Sequence, residues 1–268
     1  MILWVQNYIF LAITLRKLKP KKYLGQHFLK DETIALDIVA AIGKGSGSLL
    51  EVGPGMGVLT QHLLQNDQLM TFDLDGASID YLKEKYPDHV EKFQLKDFLK
   101  ENLMEYQTPI RVIGNFPYNI SSQIFFQVYA HHNRVEEVVC MIQKEVAERI
   151  VSKHGNKVYG ILSVLLQTFY DVEYLFSVDP VVFDPPPKVN SAVIKLVRNN
   201  RLDFDAKTLK RVVKAGFGKR RKTLRNALKE LNLPDTLTAQ EVFNKRAEQL
   251  SVQDFIDLTA KIEKAWKK

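Results

Sequence analysis

Short apolar runs alternate with amphipathic stretches along the first half of the chain. The apolar runs have the length of buried strands, and the stretches between them carry apolar residues at helical spacing. The predicted strands are 48–52, 68–74, 90–95, 110–113 and 137–143, and the predicted helices are 31–42, 59–65, 77–85 and 122–130. Because this alternation places helices on both faces of the strands, we predict an α/β fold with a mostly parallel, Rossmann-like sheet.

The pattern changes in the second half. Residues 159–170 follow helical spacing, and two strand-like segments, 172–178 and 191–197, flank a proline-rich turn, which predicts an antiparallel pair at one sheet edge. Helical patterns prevail from residue 206, with a break at 232–234 and a restart near 238. We therefore predict an N-terminal extension (1–18), an α/β domain (19–200) and a small all-helical domain (201–268).

The N-terminal segment and the single cysteine limit the compartment and the kinds of disulfide or metal site that the sequence allows. Residues 1–15 are strongly apolar, but no basic residue precedes them, no small-residue cleavage site follows, and the run is too short to cross a bilayer. We interpret it as an accessory extension or an over-called start, and expect a cytoplasmic protein without a membrane partner. Cys140 is the only cysteine, which excludes an internal disulfide and a cysteine-based zinc site, and no metal is predicted.

Charge is distributed unevenly along the chain. The whole chain carries 38 Lys and Arg against 31 Asp and Glu, a net charge of +7. Residues 184–268 hold 20 of these basic residues but only 10 of the acidic ones, so the remainder of the chain is slightly negative. A basic end on a near-neutral body predicts a polyanionic partner, either nucleic acid or an anionic membrane surface.

A glycine-rich turn follows the first predicted strand in Glu51-Val52-Gly53-Pro54-Gly55-Met56-Gly57. Glycines let the backbone approach a ligand closely, and such a turn at the carboxyl end of a parallel strand is where nucleotide-like ligands bind. A dinucleotide fingerprint would need Gly or Ala at position 58, where Val58 stands. The pattern instead resembles the first motif of S-adenosylmethionine methyltransferases.

Two carboxylates follow at positions suited to a nucleoside. Asp73 ends the second predicted strand 20 residues after Gly53, which is the spacing of a carboxylate that binds ribose hydroxyls. Asp75 is interpreted as a helper or a helix cap. Asp97 follows the third strand, where we expect it to accept a hydrogen bond from the adenine amino group of the cofactor.

The segment Asn115-Phe116-Pro117-Tyr118 follows the fourth strand and resembles the catalytic motif of enzymes that methylate exocyclic amines. The adenine amine is a poor nucleophile because its lone pair is delocalised into the ring. The side-chain carbonyl of Asn115 and the backbone carbonyl before or at Pro117 can each accept an amine hydrogen and free that lone pair. We expect Tyr118 to stack on an adenine that has left its helix or loop.

Together these motifs resemble the ribosomal RNA adenine dimethyltransferases whose loss gives kasugamycin resistance in bacteria. The resemblance runs from about Lys19 to near the C-terminus, whereas the first fifteen residues match nothing in the family. Besides the glycine turn, the matching segments are 24–29, 115–121, 143–147, 159–160, 185–193 and 217–225.

The resemblance implies a function and a set of site residues. It implies S-adenosylmethionine-dependent dimethylation of two adjacent adenosines in a hairpin near the 3′ end of 16S rRNA, with a partly assembled small subunit as partner, and we expect a monomer. The implied catalytic residues are Asn115, Pro117 and Tyr118, and the implied cofactor contacts are His27, Leu29, Gly53, Gly55, Asp73, Asp97 and Asn115. Family members often carry Asn at the position of His27, Glu at that of Asp73 and Leu or Ile at that of Phe116.

A basic cluster lies near the start of a helical segment of the C-terminal domain, where it can hold phosphates. The predicted RNA-binding residues are Lys219, Arg220, Arg221, Lys222 and Arg225. Two alternatives stay open. The erythromycin-resistance methyltransferases share the catalytic motifs but modify large-subunit rRNA, and a non-catalytic assembly factor could have kept the fold. The segments 185–193 and 217–225 favour the small-subunit branch, and the intact catalytic motif favours an enzyme.

Overall fold

The computed structural model describes residues 18–199 and 205–267. The predicted N-terminal extension lies, except for Leu18, outside the described residues, and so does the segment just after the predicted boundary at residue 200. The described chain divides into two compact units. The first comprises the described residues up to 144 together with 175–195, and the second comprises 145–174 and the described residues from 196 onwards.

Within the described ranges, seven strands form one large sheet and two short strands form a small one. The strands are β1 (Phe28–Leu29), β2 (Leu49–Val52), β3 (Leu69–Asp73), β4 (Phe93–Leu95), β5 (Ile110–Asn115), β6 (Val135–Gln143), β7 (Tyr170–Val178), β8 (Phe183–Asp184) and β9 (Ser191–Arg198). The large sheet has the order β4-β3-β2-β5-β6-β9-β7, in which the strands from β4 to β6 pair in parallel. The predicted α/β fold is confirmed.

Each of the five parallel strands lies within or close to its predicted range. All four residues of β2 are buried, as expected for a strand covered on both faces, and Leu49 is in register with Leu69 and Arg111 on its two neighbours. The strand predicted from residue 90 begins only at Phe93, because the segment Pro87–Lys92 forms 3₁₀ turns. β7 and β9 are neighbours at one edge of the sheet, at the predicted place.

Amphipathic helices join the strands of the first unit. They are α1 (Glu32–Ala41), α2 (Thr60–Leu63), α3 (Gly76–Lys85) and α4 (Ser121–Ala130). Asp31 begins α1 by accepting hydrogen bonds from the backbone N–H groups of Thr33 and Ile34, and Asp75 begins α3 in the same way through Ala77. α2 is shorter than predicted. The small sheet pairs β1 with β8 in antiparallel register and was not predicted, because two-residue strands have no detectable alternation.

The second unit is mainly helical. Its helices are α5 (Lys144–Val151, whose first residue belongs to the first unit), α6 (Ile161–Phe169), α7 (Ala206–Gly218), α8 (Leu224–Ala227), α9 (Asp235–Thr238) and α10 (Val252–Trp266). The rings of Tyr159 and Phe255 both lie 5.9 Å from that of Phe217 and form part of its core. The break predicted at 232–234 is present, and α9 restarts the helix at Asp235.

The compact units divide the chain differently from the predicted domains. Residues 145–174 were predicted within the α/β domain, but they cluster with the C-terminal helices. The physical reason is α6, whose residues are almost all buried and which packs on α7 and α10. An apolar helix needs such partners on several sides.

Three further observations concern membrane-spanning helices, the cysteine and metal binding. None of the helices in the described residues is long and apolar enough to cross a membrane. Cys140 is fully buried in β6, and burial raises the pKa of its thiol, as expected for a structural cysteine. In the described part of the chain, no group of three His, Cys, Asp or Glu side chains is arranged to hold a metal ion.

Candidate active site

A cleft opens at the carboxyl ends of the parallel strands in the first unit. It lies where the chain reverses direction across the sheet, with β3 on one side of β2 and β5 on the other, which is where open α/β sheets bind nucleotide-like ligands. The predicted cofactor and catalytic residues that line it are His27, Gly53, Gly55, Asp73, Asp97, Asn115, Pro117 and Tyr118.

The glycine turn brings the backbone against this cleft. Gly53 and Gly55 have φ values of +72° and +55°, which favour glycine. A Cβ atom on Gly53 would lie 3.3 Å from the carbonyl oxygen of Asn115, and one on Gly55 would lie 2.9 Å from Cδ1 of Phe28. A side chain at either position would therefore strain the backbone and crowd the cleft.

Asp73 places a carboxylate at the end of β3. Its Oδ1 accepts a hydrogen bond from the backbone N–H of Asp75 at 2.9 Å. Burial raises the pKa of Asp73 to about 6, although this hydrogen bond acts in the opposite direction. Asp73 is therefore mostly ionised at neutral pH and able to accept hydrogen bonds from hydroxyl groups.

Asp97 is both a cap and a part of the cleft wall. Its Oδ1 accepts from the backbone N–H of Leu99 at 3.0 Å and so begins the 3₁₀ helix Phe98–Lys100. Its Oδ2 lies 3.7 Å from Nζ of Lys100, an exposed and weak ion pair. The cap and the predicted cofactor role are therefore compatible, because the cap uses only Oδ1.

Asn115 ends β5 with a defined side-chain orientation. Its Nδ2 donates to the backbone carbonyl of His27 at 2.9 Å, so its Oδ1 remains as an acceptor. The sequence left open whether the second acceptor is the carbonyl before Pro117 or that of Pro117 itself. The Pro117 carbonyl accepts from the N–H of Ile120 at 3.1 Å, whereas the Phe116 carbonyl accepts no hydrogen bond from any described residue. The geometry therefore favours the carbonyl before Pro117.

Tyr118 is held on two sides. Its ring stacks on His27 with a centroid distance of 5.4 Å and an interplanar angle of 29°, and its hydroxyl forms a short hydrogen bond with Oγ of Ser191. His27 in turn contacts the carbonyl of Pro185 through Nδ1 at 2.8 Å. Neither Ser191 nor Pro185 was predicted as a site residue, although both lie within the segment 185–193.

A strap formed by residues 21–28 supplies part of the cleft lining. It is fastened to Asp75, whose side chain is only 2% exposed. Lys21 Nζ lies 2.7 Å from Oδ1 of Asp75, and Nε2 of Gln26 donates to Oδ2 at 3.0 Å. Burial alone would raise the pKa of Asp75, but these two hydrogen bonds, together with that from the N–H of Ala77 and the charge of Lys21, outweigh it and hold the pKa below its ordinary value. Asp75 is thus a helix cap that also fastens the strap.

Leu29 is placed differently from the other predicted cofactor contacts. It does not line the main cleft; its side chain is 5% exposed and packs in the apolar core of the first unit. It borders a small neighbouring cavity, together with Glu51 and the glycine turn.

Glu51 is a buried acid that was not among the predicted site residues. Its side chain is 1% exposed, and Oε2 has no hydrogen-bond partner among the described residues. Burial, assisted by the nearby charge of Asp73, raises the pKa of Glu51 to about 8. Glu51 is therefore mostly protonated at neutral pH. The available signal was an acidic residue inside an otherwise apolar strand.

The predicted RNA-binding residues lie in the second unit, where 219–222 form the turn between α7 and α8. Lys219 pairs with Glu230 at 2.5 Å, and Arg225 donates to Oδ1 of Asn244 at 3.1 Å. Both are exposed, so these contacts do not bury their charges.

The other three residues of the cluster differ in exposure and in hydrogen bonding. Arg220 is half-buried and donates to the backbone carbonyl of Lys157 at 2.6 Å. Arg221 and Lys222 are exposed, and their side chains bond to no described residue.

Comparison with known proteins identifies the family. Residues 17–264 match the family model described as ribosomal RNA adenine dimethylase. The chain is 55% identical over 252 residues to the ribosomal RNA small subunit methyltransferase A of Cytophaga hutchinsonii, covering 91% of this chain and 98% of that protein. It is 51% identical over 255 residues to the protein of the same name from Flavobacterium johnsoniae, covering 93% and 98%.

Solved structures agree with this result. A dimethyladenosine transferase from Plasmodium falciparum superposes with a TM-score of 0.76 at 27% identity, covering 90% of this chain and 98% of that one. The 23S rRNA methyltransferase ErmE gives a TM-score of 0.63 at 22% identity over 87% of this chain and 99% of its own, which shows a shared fold. The resemblance seen in the motifs is thus confirmed, and the chain belongs to the ribosomal RNA adenine dimethylase family of S-adenosylmethionine-dependent methyltransferases.

Proposed function

We propose that this enzyme dimethylates the exocyclic amines of two adjacent adenosines in a hairpin near the 3′ end of 16S rRNA during small-subunit maturation. The observation that carries the proposal is a pair of acceptors in the cleft, Oδ1 of Asn115 and the carbonyl of Phe116, that accept no hydrogen bond from a described residue. The names of the relatives support the small subunit as the source of the RNA. We further propose four methyl transfers per RNA, a partly assembled subunit as partner, and action as a cytoplasmic monomer.

The residues of the cleft fit S-adenosylmethionine. The glycine turn leaves free the space that Cβ atoms would fill, and ionised Asp73 can accept hydrogen bonds from the ribose hydroxyls. Asp97 can accept from the adenine amino group, and His27 and the backbone near Leu29 complete the proposed contacts. When bound, the cofactor supplies an electrophilic methyl group on its sulfonium.

The acceptors activate the amine of the substrate. Asn115 Oδ1 and the Phe116 carbonyl can each accept one hydrogen of the adenine amine, which draws the nitrogen towards tetrahedral geometry and frees its lone pair. Pro117 has no N–H to compete for these acceptors and has a fixed φ. The amine becomes acidic as the new C–N bond forms, so its proton can leave without a dedicated base. Catalysis then rests on positioning and electrostatics.

Tyr118 is proposed to hold the flipped adenine by stacking. Tyr118→Ala should raise the KM for RNA by about 5- to 150-fold, since base–aromatic stacking contributes roughly 1–3 kcal/mol. Tyr118→Phe keeps the ring and loses only the bond to Ser191, so it should stay close to wild type. Steady-state kinetics checks both, with Ser191→Ala as the matched control for the lost hydroxyl contact. A Phe variant as impaired as the Ala variant would show that the hydroxyl, rather than the ring face, is required.

The substrate is tested by mapping methylated adenines in a deletion strain of the source organism. Primer extension across both large rRNAs should show loss of dimethylation at two adjacent adenosines near the 3′ end of 16S rRNA and its return on complementation. Loss of methylation at a large-subunit adenine instead would favour the erythromycin-resistance type of activity. Purified protein without measurable affinity for S-adenosylmethionine would favour the non-catalytic assembly factor.

The basic residues of the second unit are proposed to hold RNA phosphates. They are Lys219, Arg221, Lys222 and Arg225, which lie in the most basic part of the chain, whereas Arg220 is proposed to support them through its hydrogen bond to the backbone carbonyl of Lys157. Charge-based contacts of this kind position a nucleic acid without reading its sequence.

A further inference from the structure

A second basic segment lies in the same unit, in the loop 152–158. The side chain of Asn156 fixes the shape of this loop: its Oδ1 accepts from Oγ of Ser152 at 2.9 Å and from the backbone N–H groups of Val158 and Tyr159 at 2.9 and 3.0 Å. Gly155 turns the backbone with a φ of +89°. The loop is therefore an ordered structure.

Arg220 joins this loop to the basic turn 219–222. Its Nη2 donates to the carbonyl of Lys157 at 2.6 Å and to that of Asn156 at 3.4 Å. Its Nε lies 3.9 Å from Oε2 of Glu248, and the backbone carbonyl of Glu248 accepts from the N–H of Gly155 at 2.7 Å. Arg220 therefore uses its guanidinium to brace two segments that lie more than sixty residues apart in the chain.

The joined segments present unpaired positive charge. Lys153 and Lys157 are exposed on the loop, as Arg221 and Lys222 are on the turn. None of these four side chains forms a hydrogen bond or ion pair with a described residue. Glu248, the acid that faces Arg220, is mostly buried. Such a patch costs folding free energy through self-repulsion, which a polyanionic partner relieves.

We propose that Lys153 and Lys157 form one phosphate-binding surface with Arg221 and Lys222, and that Arg220 is the positioning residue that holds the loop in place. This inference rests on the proposed function, which supplies RNA as the polyanion. Exposed lysines act as flexible point charges, which suits the RNA backbone rather than base recognition. Arg220, which the sequence assigned to RNA contact, acts through the loop.

The test compares two doubly substituted full-length proteins. Lys153→Ala/Lys157→Ala removes the proposed loop contacts, whereas Lys207→Ala/Lys264→Ala removes the same charge from two exposed lysines elsewhere in the second unit. Lys207 lies at the start of α7, and Lys264 lies in α10 beside Glu263, which accepts from the N–H of Asp205. Binding of a 16S rRNA fragment is measured over a salt series after circular dichroism has verified folding. The loop variant should bind about 3- to 10-fold more weakly, and its log–log salt slope should fall by roughly 0.7–0.9 for each lost phosphate contact. The control should match wild type.

Other outcomes overturn the inference and are distinguishable from failure of the proposed function. Equal affinities and slopes for both double variants would show that the loop is only a solvated surface. Loss of binding to anionic lipid vesicles with unchanged RNA binding would assign the loop to a membrane. Arg220→Ala should increase hydrogen exchange in 152–158, and unchanged exchange would contradict the brace. If wild-type protein fails to dimethylate small-subunit RNA, the proposed function fails whatever the loop variants show.

Discussion

Asn115→Ala should lower the single-turnover rate of methyl transfer on the order of 10²–10³-fold, the usual cost of removing one preorganised polar group from a reaction centre. The Asn115 carbonyl is needed mainly while the amine nitrogen rehybridises, so the loss should appear in the rate constant and much less in substrate binding. The substitution also removes the bond from Nδ2 to the carbonyl of His27, which should cost cofactor affinity only a few-fold. Rapid-quench kinetics with saturating cofactor and RNA measures the effect.

A matched control lies four residues further along the chain. Asn119 also lines the cleft, but among the described residues its side chain makes only one long hydrogen bond, 3.3 Å from Nδ2 to the backbone carbonyl of Tyr23. Asn119→Ala should therefore keep a rate close to wild type. A near-wild-type rate for Asn115→Ala would falsify the proposed activation of the amine. Equal losses in both variants would indicate a general disturbance of the cleft.

Asp73→Ala should raise the Kd for S-adenosylmethionine roughly 5- to 150-fold, because it removes hydrogen bonds worth on the order of 1–3 kcal/mol. Asp97→Ala should have an effect of the same size through the adenine end of the cofactor. RNA binding should stay nearly unchanged in both variants, since the proposed phosphate contacts lie on other residues. Isothermal titration calorimetry measures the cofactor affinity, and unchanged affinity in both variants would remove these acids from the site.

The pKa of Asp73 adds a pH dependence to this prediction. In the protein without cofactor this pKa is raised to about 6, and only the ionised carboxylate accepts both hydroxyl hydrogen bonds. Wild-type affinity should therefore rise between pH 5 and pH 7 and then level off. Asp73→Asn should abolish this rise, whereas Asp97→Ala should keep it because Asp73 is intact. A rise that persists in Asp73→Asn would assign the titration to another group.

Much of the fold and of the cleft was predictable from the sequence, because both depend on local signals. Apolar runs such as β2 identify buried strands, and a glycine-rich turn after the first of them marks the ligand side of the sheet. Since parallel strands end at one edge, acids such as Asp73 and Asp97 could be assigned to a common cleft before their coordinates were known. The order of the motifs along the chain also indicated the family.

Contacts between distant segments were decided only by the tertiary structure. The spacing of apolar residues does not indicate that Asp75 holds the segment 21–28 through an ion pair with Lys21, because that contact joins residues 54 positions apart. It also does not show that the side chain of Leu29 packs in the core, since a two-residue strand carries no pattern. The sequence by itself therefore determined the main helices and strands, the end of the sheet at which a ligand is expected, and the chemistry of the motif that begins at Asn115.

The tertiary structure decided which polar atoms remain available. Nδ2 of Asn115 donates to the backbone carbonyl of His27, whereas its Oδ1 accepts no hydrogen bond within the described ranges. The guanidinium of Arg220 donates to a backbone carbonyl of the loop 152–158, whereas Arg221 beside it is exposed. The physical reason is that a hydrogen bond depends on three-dimensional position, and the partners lie far apart in the chain. Local composition determines what a residue can do, and long-range packing determines which of those interactions it makes.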